Sequence, residues 1–203
     1  MGKLSKSIQK QHIDLYRKLL LRRQFLKDIK PTIAYVPFIG DGDIAQELYK
    51  DHKIYGADID EERVEKCKRR LNSAIVKKAD CNEWPFLEVK DKFGIVDFDA
   101  FSNPYLALES FWKQVNKEKR IIIFGTDGLR LGIKRSKRTL SLPEGKVIKH
   151  ATASEFREQF NFWWVRYVLP YITELVTPWR IVKKMCYLRG VSGMLYWGLR
   201  IER

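Results

Sequence analysis

The chain has 203 residues, 45% of them hydrophobic, which suits one domain with a substantial core. It has no apolar run of about eighteen residues to span a membrane. It has no signal-like N-terminus, and three widely spaced cysteines (Cys67, Cys81, Cys186) offer neither a disulfide framework nor metal-type pairing, so a reducing, cytoplasmic setting is expected. A formal charge of +14 implies a polyanionic partner, nucleic acid above all.

Leu4 to Lys30 is predicted as a helix, with Ile8, Ile13, Leu15, Leu19, Leu20, Phe25, Leu26 and Ile29 on an uneven apolar face. Residues 1–30 hold nine Lys or Arg against two Asp, a net of +7. Pro31 ends the helix. Residues 1–31 are thus expected to form a basic helix packed on a single domain, 32–203. Ile33 to Phe38 reads as a first strand running into the glycine loop Gly40-Asp-Gly42, with a helix from about Asp43 to Asp51. Lys53 to Ala57 is a second strand delivering Asp58 at its carboxyl end, and Asp60 caps a helix from Glu61 to Leu71. A third strand, Ala74 to Ala79, ends at Asp80. A fourth, Phe93 to Phe98, ends at Asp99. Tyr105 to Val115 is helical, and Arg120 to Phe124 reads as a central buried strand.

Residues 126–150 then look like a loop, and residues 129–150 hold seven Lys or Arg against Glu144 alone, a net of +6. Clustering of this kind goes beyond the balanced Lys and Glu enrichment of a heat-adapted surface. Ser154 to about Leu175 reads as an aromatic helix, whose Phe160, Phe162, Trp163, Trp164 and Tyr167 are assigned to the core rather than to base stacking. Arg180 to Leu188 and Met194 to Ile201 form a hairpin around Arg-Gly-Val-Ser-Gly193. The expected fold is α/β: five parallel strands covered by helices, closed by a C-terminal antiparallel hairpin, seven strands in all.

In open parallel sheets a ligand lies beyond the carboxyl ends of the strands. Gly40 and Gly42 let the backbone approach it and turn sharply. Asp58 is placed to accept from ribose hydroxyls and Asp80 from an adenine amino group, with Cys81 and Trp84 as an apolar wall. A dinucleotide fingerprint requires a third glycine, and that position is Ala45.

Val36-Pro-Phe-Ile-Gly-Asp-Gly-Asp43 resembles the first motif of amino-methyltransferases, Asp-Pro-Phe-x-Gly-Ser-Gly, and Tyr55-Gly-Ala-Asp-Ile-Asp60 is similar to their second. The order of elements is that of class I S-adenosylmethionine-dependent methyltransferases. The resemblance implies S-adenosylmethionine as cofactor, bound by Pro37, Phe38, Gly40, Gly42, Asp58, Ile59, Asp80, Cys81 and Asp97. Where the family motif begins with an acid this chain has Val36, and Asp41 or Asp43 is the expected substitute.

Asp97-Phe-Asp-Ala-Phe-Ser-Asn-Pro-Tyr105 resembles the Asp-x-Asp-Pro-Phe-Gly-Ser-Pro motif of tRNA guanine-N2 dimethyltransferases, with Ala100 for proline and Asn103 for serine. Phe124-Gly-Thr-Asp-Gly128 is similar to that family's Thr-Asp segment. The match implies Asp99 as acceptor for the target amine and Phe101 as stacking platform. Under a second alignment, Asn103-Pro104-Tyr105 resembles the Asn-Pro-Pro-Tyr motif of adenine-N6 and glutamine methyltransferases. Asn103 would then be the acceptor and Tyr105 the platform. Arg130, Lys134, Arg135, Lys137 and Arg138 should border the site mouth and meet phosphates.

The expectation is methylation of an exocyclic base nitrogen, on RNA (tRNA guanine-N2) before DNA, with no metal and no membrane partner. The competing expectations are a DNA amino-methyltransferase, a non-catalytic nucleic-acid-binding module, favoured by Val36 and Ala100, and a protein or small-molecule methyltransferase.

Overall fold

Short runs rich in Ile, Val and Phe, separated by polar helices, assemble into one sheet with helices on both faces. The computed structural model describes residues 6–100, 103–128, 140–141, 147–148, 164–189 and 194–203. Helix α1 spans Lys6–Leu26, followed by β1 (Ile33–Pro37), α2 (Asp43–Leu48), β2 (Lys53–Asp58), α3 (Glu61–Arg70), β3 (Ile75–Lys78), β4 (Phe93–Phe98), α4 (Tyr105–Gln114) and β5 (Lys117–Asp127). A two-residue pair, β6 (Leu140–Ser141) and β7 (Val147–Ile148), lies within the segment expected to be a loop. A π-helical turn, Trp164–Val168, leads into α5 (Leu169–Val176), and the hairpin β8 (Arg180–Arg189) and β9 (Met194–Glu202) closes the chain.

The main sheet has seven strands in the order β3-β2-β1-β4-β5-β9-β8. The first five are mutually parallel, and β9 runs antiparallel between β5 and β8. The chain leaves β1 toward β2 and β3 on one side and returns to β4 and β5 on the other. The switch point between β1 and β4 is where such sheets open a crevice at their carboxyl ends.

Two apolar clusters fill the faces. One gathers Tyr35, Trp84, Phe93, Phe98, Phe111 and Trp197 beneath α4 and α5. The other gathers Phe25, Val36, Tyr49, Ile95, Phe124 and Tyr196 on the face that α1, α2 and α3 cover. β4 is buried along its whole length. Trp164 packs in the first cluster and Tyr167, expected in the core, is 38% exposed, while Phe160, Phe162 and Trp163 lie outside the described residues.

Helix α1 corrects the apolar face expected for it. Leu21, Arg22 and Phe25 are buried, whereas Leu20 is 45% exposed. Lys18, Leu21, Arg22 and Phe25 stand at i, i+3, i+4 and i+7, the spacing of one helical face. Two of the four are cations, so hydropathy does not detect the face. Among the described residues, no helix is long and apolar enough to cross a membrane.

Candidate functional site

The glycine loop begins with Phe38 in a left-handed conformation (φ 59°), followed by Gly40 (φ 56°) and Gly42 (φ 82°). The two glycines serve different ends. A Cβ on Gly42 would stand 3.0 Å from Cys67 Sγ and 3.2 Å from Leu71 Cδ1, so this residue lets α3 pack against the loop. A Cβ on Gly40 would meet nothing within 4 Å. The backbone there faces open space, as a loop must if a ligand is to lie against it.

Asp58, at the end of β2, is nearly buried, and its carboxylate is aimed by the backbone. Oδ2 accepts from Gly40 N at 3.0 Å and Oδ1 from Asp60 N at 3.0 Å. A carboxylate has roughly four acceptor positions, so two remain for a ligand beyond the strand end. Beside it Ile59 is 69% exposed, an apolar surface where an aromatic ring could rest.

Cys81 stitches this region together. Its sulfur accepts from Phe38 N at 3.2 Å and donates to Ala57 O at 3.4 Å, and burial pushes the thiol up to about 12. It is therefore a neutral staple between the loop after β3 and the ends of β1 and β2. Trp84, expected to line the crevice, is instead buried edge-on to Tyr35 at 4.9 Å. Asp80 is exposed, with Oδ1 accepting from Asn82 N at 2.9 Å. Pro37 is buried at the end of β1. Asp41 pairs with Lys66, and Asp43 with Arg70. Both expected substitutes for the acid missing at Val36 are thus turned toward α3.

At the end of β4, two acids meet two cations of α1. Asp97 is fully buried. Its Oδ1 accepts from Arg22 Nη2 at 2.6 Å, and its Oδ2 from Arg22 Nε at 2.6 Å and Tyr49 Oη at 2.7 Å. Burial alone would lower the Arg22 pKa, but Asp97 more than offsets it and holds the guanidinium charged. Expected at the cofactor, Asp97 spends its carboxylate on Arg22 of α1 and on Tyr49, just after α2. Asp99 lies two residues further, level with Thr126 in the β4–β5 register, and accepts from Thr126 Oγ1. Lys18 Nζ donates to its two oxygens at 2.6 and 2.9 Å, with both side chains 19% exposed. Burial opposes the charge on Asp99, yet Lys18 and Arg22 outweigh it and hold this carboxyl below its ordinary range. Extending the β1–β4 register brings Asp99 level with Phe38, across the switch point from the glycine loop.

The remaining expected residues divide. Asn103 Oδ1 accepts from Tyr105 N at 2.9 Å and so starts α4, while Pro104 is buried at its cap. Tyr105 is fully buried, stacked on Trp197 at 6.5 Å, with its hydroxyl donating to Asp127. Its ring presents no free face to a base here. Phe101 and the cationic run Arg130, Lys134, Arg135, Lys137 and Arg138 lie outside the described residues. Lys18, Arg22 and Tyr49 were not anticipated, and Thr126 was noted only as part of the Phe124-Gly-Thr-Asp-Gly128 segment, with no role assigned. For the two cations, the one advance sign is the match between cations four apart on a helix and acids two apart on a strand, advances of about 6 Å and about 6.6 Å respectively. Among the described residues, no group of three or more His, Cys, Asp or Glu could hold a metal. At the opposite pole of the sheet, a cleft of about 790 Å³ is lined by Lys30, Lys92, Lys117, Lys119, Arg120 and Arg203, with Asp28 and Glu118 among them.

No protein-family model matches the chain, and no curated protein does. Solved structures do. The N-methyltransferase NodS from Bradyrhizobium japonicum WM9, in complex with S-adenosyl-L-homocysteine, superposes with a TM-score of 0.60 at 8% identity, over 93% of this chain and 86% of that one. Magnesium protoporphyrin IX methyltransferase from Synechocystis PCC 6803, with bound S-adenosylhomocysteine, gives 0.58 at 13% identity, over 100% and 89%. Ribosomal protein L11 methylase from Lactobacillus delbrueckii subsp. bulgaricus gives 0.50 at 18% identity, over 93% and 77%. The strand order, the terminal hairpin and these likenesses agree: the chain has the Rossmann-like fold of class I S-adenosylmethionine-dependent methyltransferases.

Proposed function

We propose that the protein is an S-adenosylmethionine-dependent methyltransferase acting on an exocyclic base nitrogen of nucleic acid, RNA before DNA. The observation that carries this reading is the pair of carboxylates across the switch point. Asp58 is aimed beside the open backbone of Gly40, and Asp99 is held ionised beyond the end of β4, with β1 between the two acids' strands. Likeness to S-adenosylhomocysteine-bound enzymes supports the choice of cofactor.

When bound, the cofactor supplies an electrophilic methyl group on a sulfonium. The chain's own residues have three tasks. Gly40 and Asp58 fix the nucleoside end, Asp58 by accepting from ribose hydroxyls and Ile59 by covering the adenine. Asp99 accepts an N–H of the target amine and so turns its lone pair toward the crevice. As the nitrogen gains the methyl group it sheds one proton, which Asp99 accepts and passes to solvent. The basic excess, including the cleft at the far pole, suits a phosphate backbone. A flipped or unpaired base is expected, because a paired amine cannot reach the crevice.

The test is radiolabelled methyl transfer to bulk tRNA, to other RNA and to DNA, followed by nucleoside analysis. Label should appear in a base of RNA. Asp99→Ala should abolish transfer while calorimetric binding of S-adenosylhomocysteine persists. If Asp99→Ala still transfers, the acceptor role moves to Asn103. A second reading, a nucleic-acid-binding module without catalysis, is favoured by Val36 and by the engagement of Asp99 with Lys18. Failure to bind the cofactor at millimolar concentration, with salt-dependent RNA binding retained, would establish it.

A further inference from the structure

The cofactor reading leaves one end of the ligand unexplained. S-adenosylmethionine ends in an amino acid, and its carboxylate calls for a cation. The glycine loop offers none, since Lys66 and Arg70 are engaged with Asp41 and Asp43 on the α3 side. Across the switch point stands Lys18. Helix α1 passes Asp97 at Arg22 and Asp99 at Lys18, so its N-terminal direction leads toward the carboxyl pole, where Lys18 meets Asp99.

The hydrogen-bond count favours a further ligand. An ammonium has three hydrogens. Asp99 engages at most two of those on Lys18, one for each oxygen. The amine is steadied from another side by the Tyr196 ring, 5.3 Å from Nζ to the centroid. Lys18 is therefore held in place, partly open to solvent, with a donor to spare. Arg22, one turn deeper, has no exposure at all.

We infer that Lys18 binds the carboxylate of the cofactor's methionine tail, leaving the spare acceptor of Asp99 to the target amine. This inference rests on the S-adenosylmethionine reading. One ion pair would then set the cofactor's reactive end and the acceptor nitrogen in register, each from one member. It also gives a physical role to the helix that brings Lys18 to the end of β4.

The test is calorimetry on the full chain with three probes: S-adenosylhomocysteine, decarboxylated S-adenosylmethionine, and 5′-methylthioadenosine, which lacks the amino-acid tail. Lys18→Met should weaken S-adenosylhomocysteine by roughly ten-fold or more, the effect of losing a charge-assisted hydrogen bond. It should leave methylthioadenosine unchanged and remove the wild-type preference for the carboxylate-bearing ligand over the decarboxylated one. Lys18→Arg should restore most of the loss. The inference is overturned if Lys18→Met binds S-adenosylhomocysteine as tightly as wild type. It is overturned equally if both nucleosides weaken by the same factor, which would mark Lys18 as a structural residue. Wild type binding none of the three would instead overturn the cofactor reading beneath it.

Discussion

Asp97 and Asp99 leave the same face of β4, meet the same helix, and each receives a cation from it, yet their circumstances are opposite. Asp97 is sealed: three donors from Arg22 and Tyr49 occupy it and no solvent reaches it. Asp99 is held by Lys18 and Thr126 but keeps 19% of its side-chain surface. A fully satisfied buried pair fixes where two elements sit. A partly open pair at a strand's carboxyl end has valence left for something that arrives later. Two residues of strand separate a joint of the fold from a candidate binding group.

The comparison predicts unequal costs. Arg22→Met leaves the Asp97 charge buried without its partner and should cost about 3–5 kcal/mol in urea unfolding. Arg22→Met with Asp97→Leu should recover most of that, since an apolar pair of similar volume often replaces a buried ion pair without loss. A double variant as unstable as the single one would mean that α1 is held elsewhere. Tyr49→Phe removes one donor to the same carboxylate and should cost about 1–3 kcal/mol. Lys18→Met, at the partly open pair, should cost less than Arg22→Met, about 1–3 kcal/mol, because Thr126 and Arg22 still serve the Asp99 carboxylate. If Lys18→Met proved as damaging as Arg22→Met, both pairs would be structural and the distinction would fail.

The same contrast explains what could be read from the chain in advance. The stretch from Ile33 to Asp58 was legible because each step has a local signature: an apolar run, a glycine turn, a polar helix, a second run, an acid. Those elements appear within a few residues of expectation, and so does the terminal hairpin. The fifth strand was expected from Arg120, but begins at Lys117 because pairing with Phe93 of β4, not hydropathy, carries its charged start. The buried face of α1 was not legible, since Lys18 and Arg22 look like solvated charges until β4 supplies their acids. Tyr105 and Asp97 carry motif identity, but only the packing shows the first stacked on Trp197 and the second closed by Arg22. Spacing along a chain reports local periodicity; it does not report which charges will be paired over 75 or 81 residues of sequence.

The smallest expected effect is the most specific. Asp99 is held below its ordinary range in the folded protein, so the native state gives up this proton more readily than the unfolded chain, whose carboxyl titrates near about 3.9. A group depressed in this way contributes stability above the unfolded value, and the contribution fades as pH falls through the folded one. Lys18 is the first of the charges responsible. The stability gap between wild type and Lys18→Met should therefore be full near neutrality and shrink as pH drops below about 4, where protonated Asp99 no longer distinguishes lysine from methionine. Unfolding free energies measured from pH 6 downward would show the two curves converging. Curves that stayed parallel would mean that Lys18 stabilises the fold through its contact with Tyr196 rather than through Asp99, and the open pair would lose the charge coupling that sets it apart from the sealed one.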